Sequence, residues 1–382
     1  MKFTINRSKL IQELSNVQRA IPGKTSMEIL LGIKLNLTSN GLYLLGSDSE
    51  ISIESFININ KEDAHLKIEE TGSVVLPARL LNDIVKKLAS DEVKIEVETD
   101  YVTKISAANA EFKIIGINAE DFPHLPTIEE QSQIILPASQ LKKVIDQTIF
   151  SASNQELKPS LTGLYLAIDK DQLTAVATDS HRLSQRKLLL ENQHLSDITP
   201  MILPKKTVKE LARVVPDYAD IKMTIASHQV VFQFENITVY SRLIDGTYPD
   251  ASRLIPTEFN TEVVVNAQYF SGAMDRASLM SHEGKNNIVQ LSIEDQHVEL
   301  KVLGAEIGNV TEEIEYQELV GENIKISFNP DYMNEALKSF GDQTICLQLI
   351  SPVRTMLLKA YPEKDSKNAL LQLLTPIRTH TY

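Results

Sequence analysis

Residues 177–184 read Ala-Thr-Asp-Ser-His-Arg-Leu-Ser, and Asp179, Ser180 and His181 are the residue types of a hydrolytic triad set side by side. Such chemistry needs a hydroxyl activated by an imidazole that a carboxylate orients. Neighbouring side chains on an extended chain point to opposite faces, so adjacency works against that assembly. An internal repeat sharpens the point. Its first copy reads LLGSDSEIS at 44–52, keeping Asp48-Ser49 but carrying Glu50 where His181 stands. Its third copy, VLGAEIGNV at 302–310, keeps none of the three. Asp-Ser therefore reads as a turn device, a common use of both residues. His181, Arg182 and Leu183 are what the middle copy adds. A hydrolase using His181 stays as a rival reading. The lone Cys346, in TICLQLI, forms neither an internal disulfide nor a zinc cage, and its alternating apolar setting reads as a buried strand. No Gly-rich phosphate loop or metal-ligand cluster is evident in the sequence, so no cofactor or metal is expected.

The elements that carry these residues recur. MKFTINRSKLIQELSNVQRAI (1–21), SQIILPASQLKKVIDQTIFSA (132–152) and TEVVVNAQYFSGAMDRASLMS (261–281) each read as a strand, a small or polar cap, and an amphipathic helix. In the first, Leu10, Ile11, Leu14, Val17 and Ile21 fall on one helical face. A second unit recurs at 73–97, 200–225 and 324–349, with Pro77, Pro204 and Pro330 near the first helical turn, where a missing N–H is harmless. Hairpins are expected around Ser39-Asn40-Gly41, Asp169-Lys170-Asp171 and Glu294-Asp295. The period is about 125–130 residues, each repeat reading as βαβββ twice. The matched joints INAEDFPHLPTIEE (117–130) and IDGTYPDASRLIPTE (244–258) set domains at 1–127, 128–257 and 258–382.

Net charge is −13, which taken as an average disfavours nucleic-acid wrapping. The distribution is uneven. The predicted helices, 8–21, 77–90, 138–153, 205–215, 266–281 and 329–340, hold 13 basic and 7 acidic residues, a net of +6 against −19 for the remainder. If the helices share an inner wall, that wall attracts DNA while the strand layer repels it. The other reading is a solvated helix face. There is no Trp, so base stacking is a poor source of affinity, and contact should go to phosphates without regard to sequence. No apolar run is long enough to span a bilayer, and MKFTINRSKL lacks the apolar stretch of a signal peptide, so a cytoplasmic, nucleoid-associated location is expected.

With MKFTINRSKL, DFPHLP, ATDSHRLS, DGTYPD and the terminal Pro376-Ile377-Arg378 in order on a threefold repeat, the whole chain resembles the bacterial sliding clamps, the β subunits of DNA polymerase III. The resemblance implies an α+β architecture of three tandem DNA-clamp (processivity) folds, with helices on one side of antiparallel sheets. It also implies a head-to-tail homodimeric ring around duplex DNA, holding it by topology rather than tight contact. Such a ring is a non-catalytic processivity factor. It tethers the replicative polymerase and meets the clamp loader, other polymerases and repair proteins through short peptide motifs, with no membrane partner.

The same resemblance implies a partner-peptide groove between the central and C-terminal domains. Matched by motif, it comprises Leu161, Thr178, Ser180, His181, Arg182, Leu183, Pro249, Arg253, Leu254, Leu373, Thr375, Pro376, Ile377 and Arg378, with Thr355 and Met356 adding to its wall. The leucines, Pro249 and Ile377 would seat a partner's Leu or Phe, and Arg182, Arg253 and Arg378 its carboxylate or carbonyl groups. For Leu183 and Leu373 ordinary core is the competing reading. Ser180 stands where many clamps have Gly and Thr375 where some have Met, and Thr379-His380-Thr381-Tyr382 either folds over the groove or frays. For DNA, motif matches imply Lys24, Arg79, Gln155, Lys158, Lys205 and Lys206. Charge and position add Lys142, Lys143, Lys209, Arg213, Arg276 and Lys285. A third reading is a scaffold that binds proteins but not DNA.

Overall fold

The computed structural model describes residues 1–125, 132–190, 198–283, 287–305, 308–363 and 365–378. The boundary at 127/128, Lys285 and the tail from Thr379 to Tyr382 lie outside the described residues.

The first repeat runs β1 (Lys2–Asn6), α1 (Arg7–Val17), β2 (Gly32–Thr38), β3 (Gly41–Ser47), β4 (Ile51–Asn58) and β5 (Lys67–Glu70). Its second half is β6 (Gly72–Pro77), α2 (Ala78–Lys87), β7 (Glu92–Val97), β8 (Val102–Ala107) and β9 (Ala110–Ile115). The second repeat is β10 (Ser132–Pro137), α3 (Ala138–Asp146), β11 (Gly163–Asp169), β12 (Gln172–Thr178) and β13 (Arg182–Leu189). It continues with β14 (Ile198–Pro204), α4 (Lys205–Val214), β15 (Asp220–Ile225), β16 (Gln229–Phe234) and β17 (Ile237–Arg242). The third is β18 (Thr261–Asn266), α5 (Ala267–His282), β19 (Val289–Glu294), β20 (His297–Ala305), β21 (Gly308–Glu313) and β22 (Glu318–Gly321). It ends with β23 (Ile324–Phe328), α6 (Pro330–Phe340), β24 (Thr344–Leu349), β25 (Met356–Ala360) and β26 (Leu370–Leu374). The doubled βαβββ pattern is thus present in each repeat, with β5 and β22 as additions.

The helices start where the sequence provides for it. Asn6, Asn266 and Asn329 each accept a backbone N–H of the following first turn. Gly341, at φ +63°, ends α6, a position that suits a residue without a Cβ. The hairpins form as expected, except that the third turns at Asp295-Gln296, one residue later, with both residues at positive φ. That is the two-residue turn whose twist fits a hairpin.

All ladders are antiparallel, and the halves of each repeat exchange their first strands. β1 pairs with β7 rather than with β2, and β6 with β2. The same exchange joins β10 to β15, β14 to β11, β18 to β24 and β23 to β19. The last strands of the βαβββ halves then pair between repeats: β4 with β17, and β13 with β26. The result is an eight-stranded sheet, β10-β15-β16-β17-β4-β3-β2-β6, and a nine-stranded one, β14-β11-β12-β13-β26-β25-β24-β18-β22. The chain accordingly clusters into two compact units, residues 1–139 with 209–243 and residues 140–208 with 244–382, each built around one of these sheets.

In the first unit α1 buries Leu10, Leu14 and Val17 against β3 and β4, while Ile11 is only half-buried. Glu13 takes the buried place instead. Its Oε2 accepts from Ser55 Oγ (2.7 Å) and Asn16 Nδ2 (3.2 Å), and Lys9 Nζ lies 2.7 Å from Oε1. In the second unit α5 and α6 share one core with β18–β20 and β23–β25, including Phe270, Met274, Phe328, Leu337 and Met356. Removing one member of a buried hydrogen-bonded charge network strands the others. Glu13→Ala is therefore expected to cost roughly 3 kcal/mol in urea unfolding, while the solvent-facing change Gln12→Ala is expected to be neutral.

Candidate functional site

The turn between β12 and β13 is built by its own side chains. Asp179 Oδ1 accepts from the backbone N–H of His181 (2.9 Å) and Arg182 (3.0 Å). Thr178 Oγ1 donates to Arg182 O (2.6 Å) and accepts from Ser180 N (3.2 Å). Ser180 sits at φ +78°, which explains why glycine suits the position. The first repeat builds the same object. Asp48 Oδ1 accepts from Glu50 N (2.9 Å) and Ile51 N (2.8 Å), Ser47 Oγ from Ser49 N (3.1 Å), and Ser49 has φ +77°. Asp-Ser is the turn device that the repeat comparison expects. The Asp179 carboxylate faces backbone amides and Arg182, not an imidazole, and Ser180 and His181 are exposed. The geometry is not that of a triad.

Arg182 is more deeply engaged than a groove-rim cation. Its Nε donates to Asp179 Oδ2 (3.0 Å), its Nη2 to Phe150 O (2.9 Å) and its Nη1 to Glu335. Its guanidinium lies 4.3 Å from the Tyr332 ring centroid. It straps β13 to α6, and its donors are largely occupied. Tyr332, Glu335 and Phe150 are neighbours that local sequence gave no sign of.

Below the turn lies a satellite apolar cluster of Val176, Leu183, Ala251, Leu357 and Leu373, with Tyr165, Tyr248 and Ile255 packed against it. Leu183 pairs directly with Leu373 across the β13–β26 joint. Tyr248 stacks on Tyr165 (4.8 Å between centroids) and donates to Val176 O (3.3 Å). Burial pushes its phenol well above the usual range. Both leucines are thus buried floor, as the core reading has it. Leu161 and Thr178 are also buried, whereas Pro249, Arg253, Leu254 and His181 are exposed. Arg253 turns back on Asp250 Oδ2 (3.0 Å). The C-terminal segment is held by Thr375 N donating to His181 O (2.8 Å) and Ile377 N to Ser327 O (2.7 Å). Thr375 and Arg378 are exposed, and Pro376, Ile377 and Thr355 are partly so. Met356 is a correction. Strand alternation turns it into the α5–α6 core, fully buried, and gives its place beside Leu373 to Leu357.

The basic candidates differ in exposure and in the partners they meet. In the first unit Lys24, Arg79 and Lys209 are exposed, while Arg213 pairs with Glu210 (2.7 Å), which also meets Arg19 (3.4 Å). In the second, Lys143, Gln155, Lys158 and Lys206 are exposed and Lys142 is partly buried. Lys205 Nζ is tied to Ala152 O (2.8 Å) and Asn154 Oδ1 (2.9 Å). Arg276 forms a two-pronged pair with Glu312, whose carboxylate raises the guanidinium's proton affinity. Within their observed bounds the six α-helices of the described residues again carry 13 basic and 7 acidic residues. The excess lies in α1 to α4, and α6 is net acidic. Cys346 is buried, and burial with nearby Glu262 pushes its thiol up to about 12, so it is no nucleophile at neutral pH.

Three family models match the chain in order: the DNA polymerase III beta subunit N-terminal domain over residues 1–126, the central domain over 135–250 and the C-terminal domain over 252–374. The beta sliding clamp of Bacillus subtilis is 39% identical over 383 residues, covering all of both chains. That of Staphylococcus epidermidis is 40% identical over 384 residues, again with full coverage. The crystal structure of the DNA polymerase sliding clamp from Bacillus subtilis superimposes with a TM-score of 0.95 at 39% identity, covering 100% of each chain.

Removing the Asp179 carboxylate unmakes the turn and deprives Arg182 of its partner. Asp179→Ala is expected to lower unfolding free energy by about 2 kcal/mol. Ser180→Gly, which relieves a left-handed backbone, is expected to raise it by about 0.5 to 1 kcal/mol. Urea titration of both variants measures the two opposite signs.

Proposed function

This chain belongs to the family of DNA polymerase III beta subunits, and we propose that it works as half of a closed ring. Its function is that of a sliding clamp, a non-catalytic processivity subunit that tethers the polymerase to DNA. The finer reading is that two copies join head to tail around the duplex, each contributing domains 1–127, 128–257 and 258–382. Among the described residues no helix is long and apolar enough to cross a membrane. A location in the cytoplasm, at the nucleoid, follows from the task.

One observation carries the ring. Repeats join by pairing the last strand of a first βαβββ half with the last strand of the following repeat's second half: β4 with β17, β13 with β26. Two such strands are left at sheet edges, β21 and β9. They are the two halves of one more joint of the same kind. A single chain supplies both ends, so a second copy closes the circle by two identical joints. The ladder spacing gives the register. Ile53 pairs with Val239 and Ser184 with Gln372, and the equivalent positions are Val310 and Phe112. Val310 of one copy would then face Phe112 of the partner subunit. Phe112 and Ile115 are exposed on β9, as an edge awaiting a partner would have them.

Partner peptides would bind over the Leu183–Leu373 floor, with Leu254, Ile377, Pro376 and His181 forming the accessible wall and Thr375 and Arg378 the rim. Arg182 then acts by holding the turn rather than by meeting the ligand. DNA would be met by the exposed cations Lys24, Arg79, Lys143, Lys158, Lys206 and Lys209, through water and without fixed register.

Two experiments test this. The protein is loaded by its loader on a nicked circular plasmid, washed at high salt, and the plasmid is then cut once. Retention before cutting and release after it are expected. Equal behaviour on circular and linear DNA would sink the ring. Separately, Phe112→Asp is expected to shift the sedimentation of the free protein from dimer to monomer while leaving its circular dichroism unchanged. An unaltered dimer would mean that β9 is not the joint.

A further inference from the structure

A cavity of about 780 Å³ opens in the second unit beside the loop between β25 and β26; it shares Leu357 with the apolar cluster under the turn, while none of the motif-matched groove candidates lines it. Its size is that of a small-molecule site. Phe259, Leu357 and Leu371 give it an apolar wall. Three other lining side chains, Arg186, Gln147 and Gln348, are each more than nine-tenths buried and incompletely satisfied. Among the described residues Arg186 Nε, Gln147 Oε1 and Gln348 Oε1 have no hydrogen-bond partner.

Among the described residues the Arg186 guanidinium meets only neutral oxygens, Asn368 Oδ1 and, at 3.4 Å, Asn368 O. Gln147 Nε2 donates to Ser339 O (2.9 Å) and Gln348 Nε2 to Glu262 Oε1 (2.8 Å), so their carbonyl ends are what is left over. A buried cation without an anion is costly, and native structures rarely keep one. Burial alone already lowers the proton affinity of this guanidinium.

The repeats show what is missing. On the same ladder rung, Leu44 pairs with Ser55, Ala175 with Arg186 and Leu300 with Glu312. Ser55 is answered by Glu13 of α1, and Glu312 by Arg276 of α5. Counted from the helix starts, the place of Arg276 is taken in the second repeat by Gln147, a neutral group. Among the described residues Ser55 and Glu312 each meet a charged or hydrogen-bonding complement on a helix, whereas Arg186 meets only the neutral Asn368 and borders a cavity. Lys143 and Lys359 add positive charge to the lining, while Glu363 and Asp365 also line it. Glu363 lies 3.8 Å from Lys359 Nζ, and Asp365 Oδ1 accepts from Lys367 N (2.9 Å).

We propose that this cavity binds a small organic oxyanion: a carboxylate or phosphate group on Arg186, a donor N–H or O–H toward Gln147 or Gln348, and an apolar body against Phe259, Leu357 and Leu371. The test is titration of the isotope-labelled full chain with benzoate, phenyl phosphate and, as an uncharged control, benzyl alcohol, at about physiological ionic strength to screen surface charge. Saturable shifts of the Gln147 and Gln348 side-chain amide signals are expected with an anion and not with the alcohol. The tighter of the two anions identifies the headgroup. Arg186→Gln is expected to weaken binding about tenfold or more, and Lys359→Gln, which leaves the buried groups untouched, about threefold. If Arg186→Gln does not fold, the wild-type titration and Lys359→Gln decide. No saturable shift with either anion would mean that the cavity holds only water. An equal response to benzyl alcohol, or affinity unchanged in the variants, would equally overturn the site.

Discussion

A β-strand edge carries a row of N–H and C=O groups that must find partners, and this obligation orders the whole chain. Each first strand leaves its own half and completes the ladder of the other, as β1 does with β7 and β6 with β2. The two halves of a repeat are thereby stitched together and cannot separate without breaking ladders on both sides. The exchange leaves the last strand of each half at an edge, and the chain pairs those across repeats. That is why its compact units cut through the middle repeat rather than between repeats. The sheets are longer than any one repeat, and cohesion follows the sheets.

The repeat joints also determine where polar side chains are tolerated. At the joint of β13 with β26, Ser184 Oγ lies 2.6 Å from Ser151 Oγ, and Gln372 Nε2 donates to Gln147 O (3.0 Å) and Ser339 Oγ (2.9 Å). A satisfied network of this kind fixes register where an apolar interface would let strands slip. The Asp179 turn works to the same end. By fixing the entry to β13 it sets which residues face Leu373 and which face the helices. Arg182 then clamps that choice against α6 through Tyr332 and Glu335. The exposed residues around His181 thus stand on a base cross-braced by Asp179 and Arg182.

Much of this was legible because it is local. Alternation and the Ser39-Asn40-Gly41 turn give the first hairpin, 3.6-residue spacing gives the helices, and asparagine caps mark the starts of α1, α5 and α6. The third hairpin slipped by one because Glu294, Asp295 and Gln296 are all acceptable turn residues, and only the ladder chooses. The third helix ends at Asp146 rather than running to 153, since Thr148 leaves helical geometry (φ −130°) and a short 3₁₀ turn follows. Strand exchange left no trace in sequence, because long-range pairing needs only compatible alternation. For the same reason Glu13 reads as a solvent residue and is buried, since its partner Ser55 lies forty-two positions away. Arg182 shows the limit for sites. Motif and charge mark it as a ligand-binding cation, yet its donors and its face are taken up by Glu335 and Tyr332, 150 or more residues distant.

The electrostatics bear on how such a ring would hold DNA. Affinity for a polyanion grows with each phosphate neutralised, and so does resistance to movement. Several cations on these helices already have protein partners: Arg213 with Glu210, Arg276 with Glu312, Lys338 with Asp275 at 3.3 Å. Each internal pair removes a charge that would otherwise grip a phosphate. Helices with a net of +6 set in a body that is otherwise −19 create a field that selects a face more than it supplies affinity. A monomeric binder so built would be weak. In a closed ring the same weakness is an advantage, because topology prevents escape while sparse, partly neutralised charges leave the duplex free to pass.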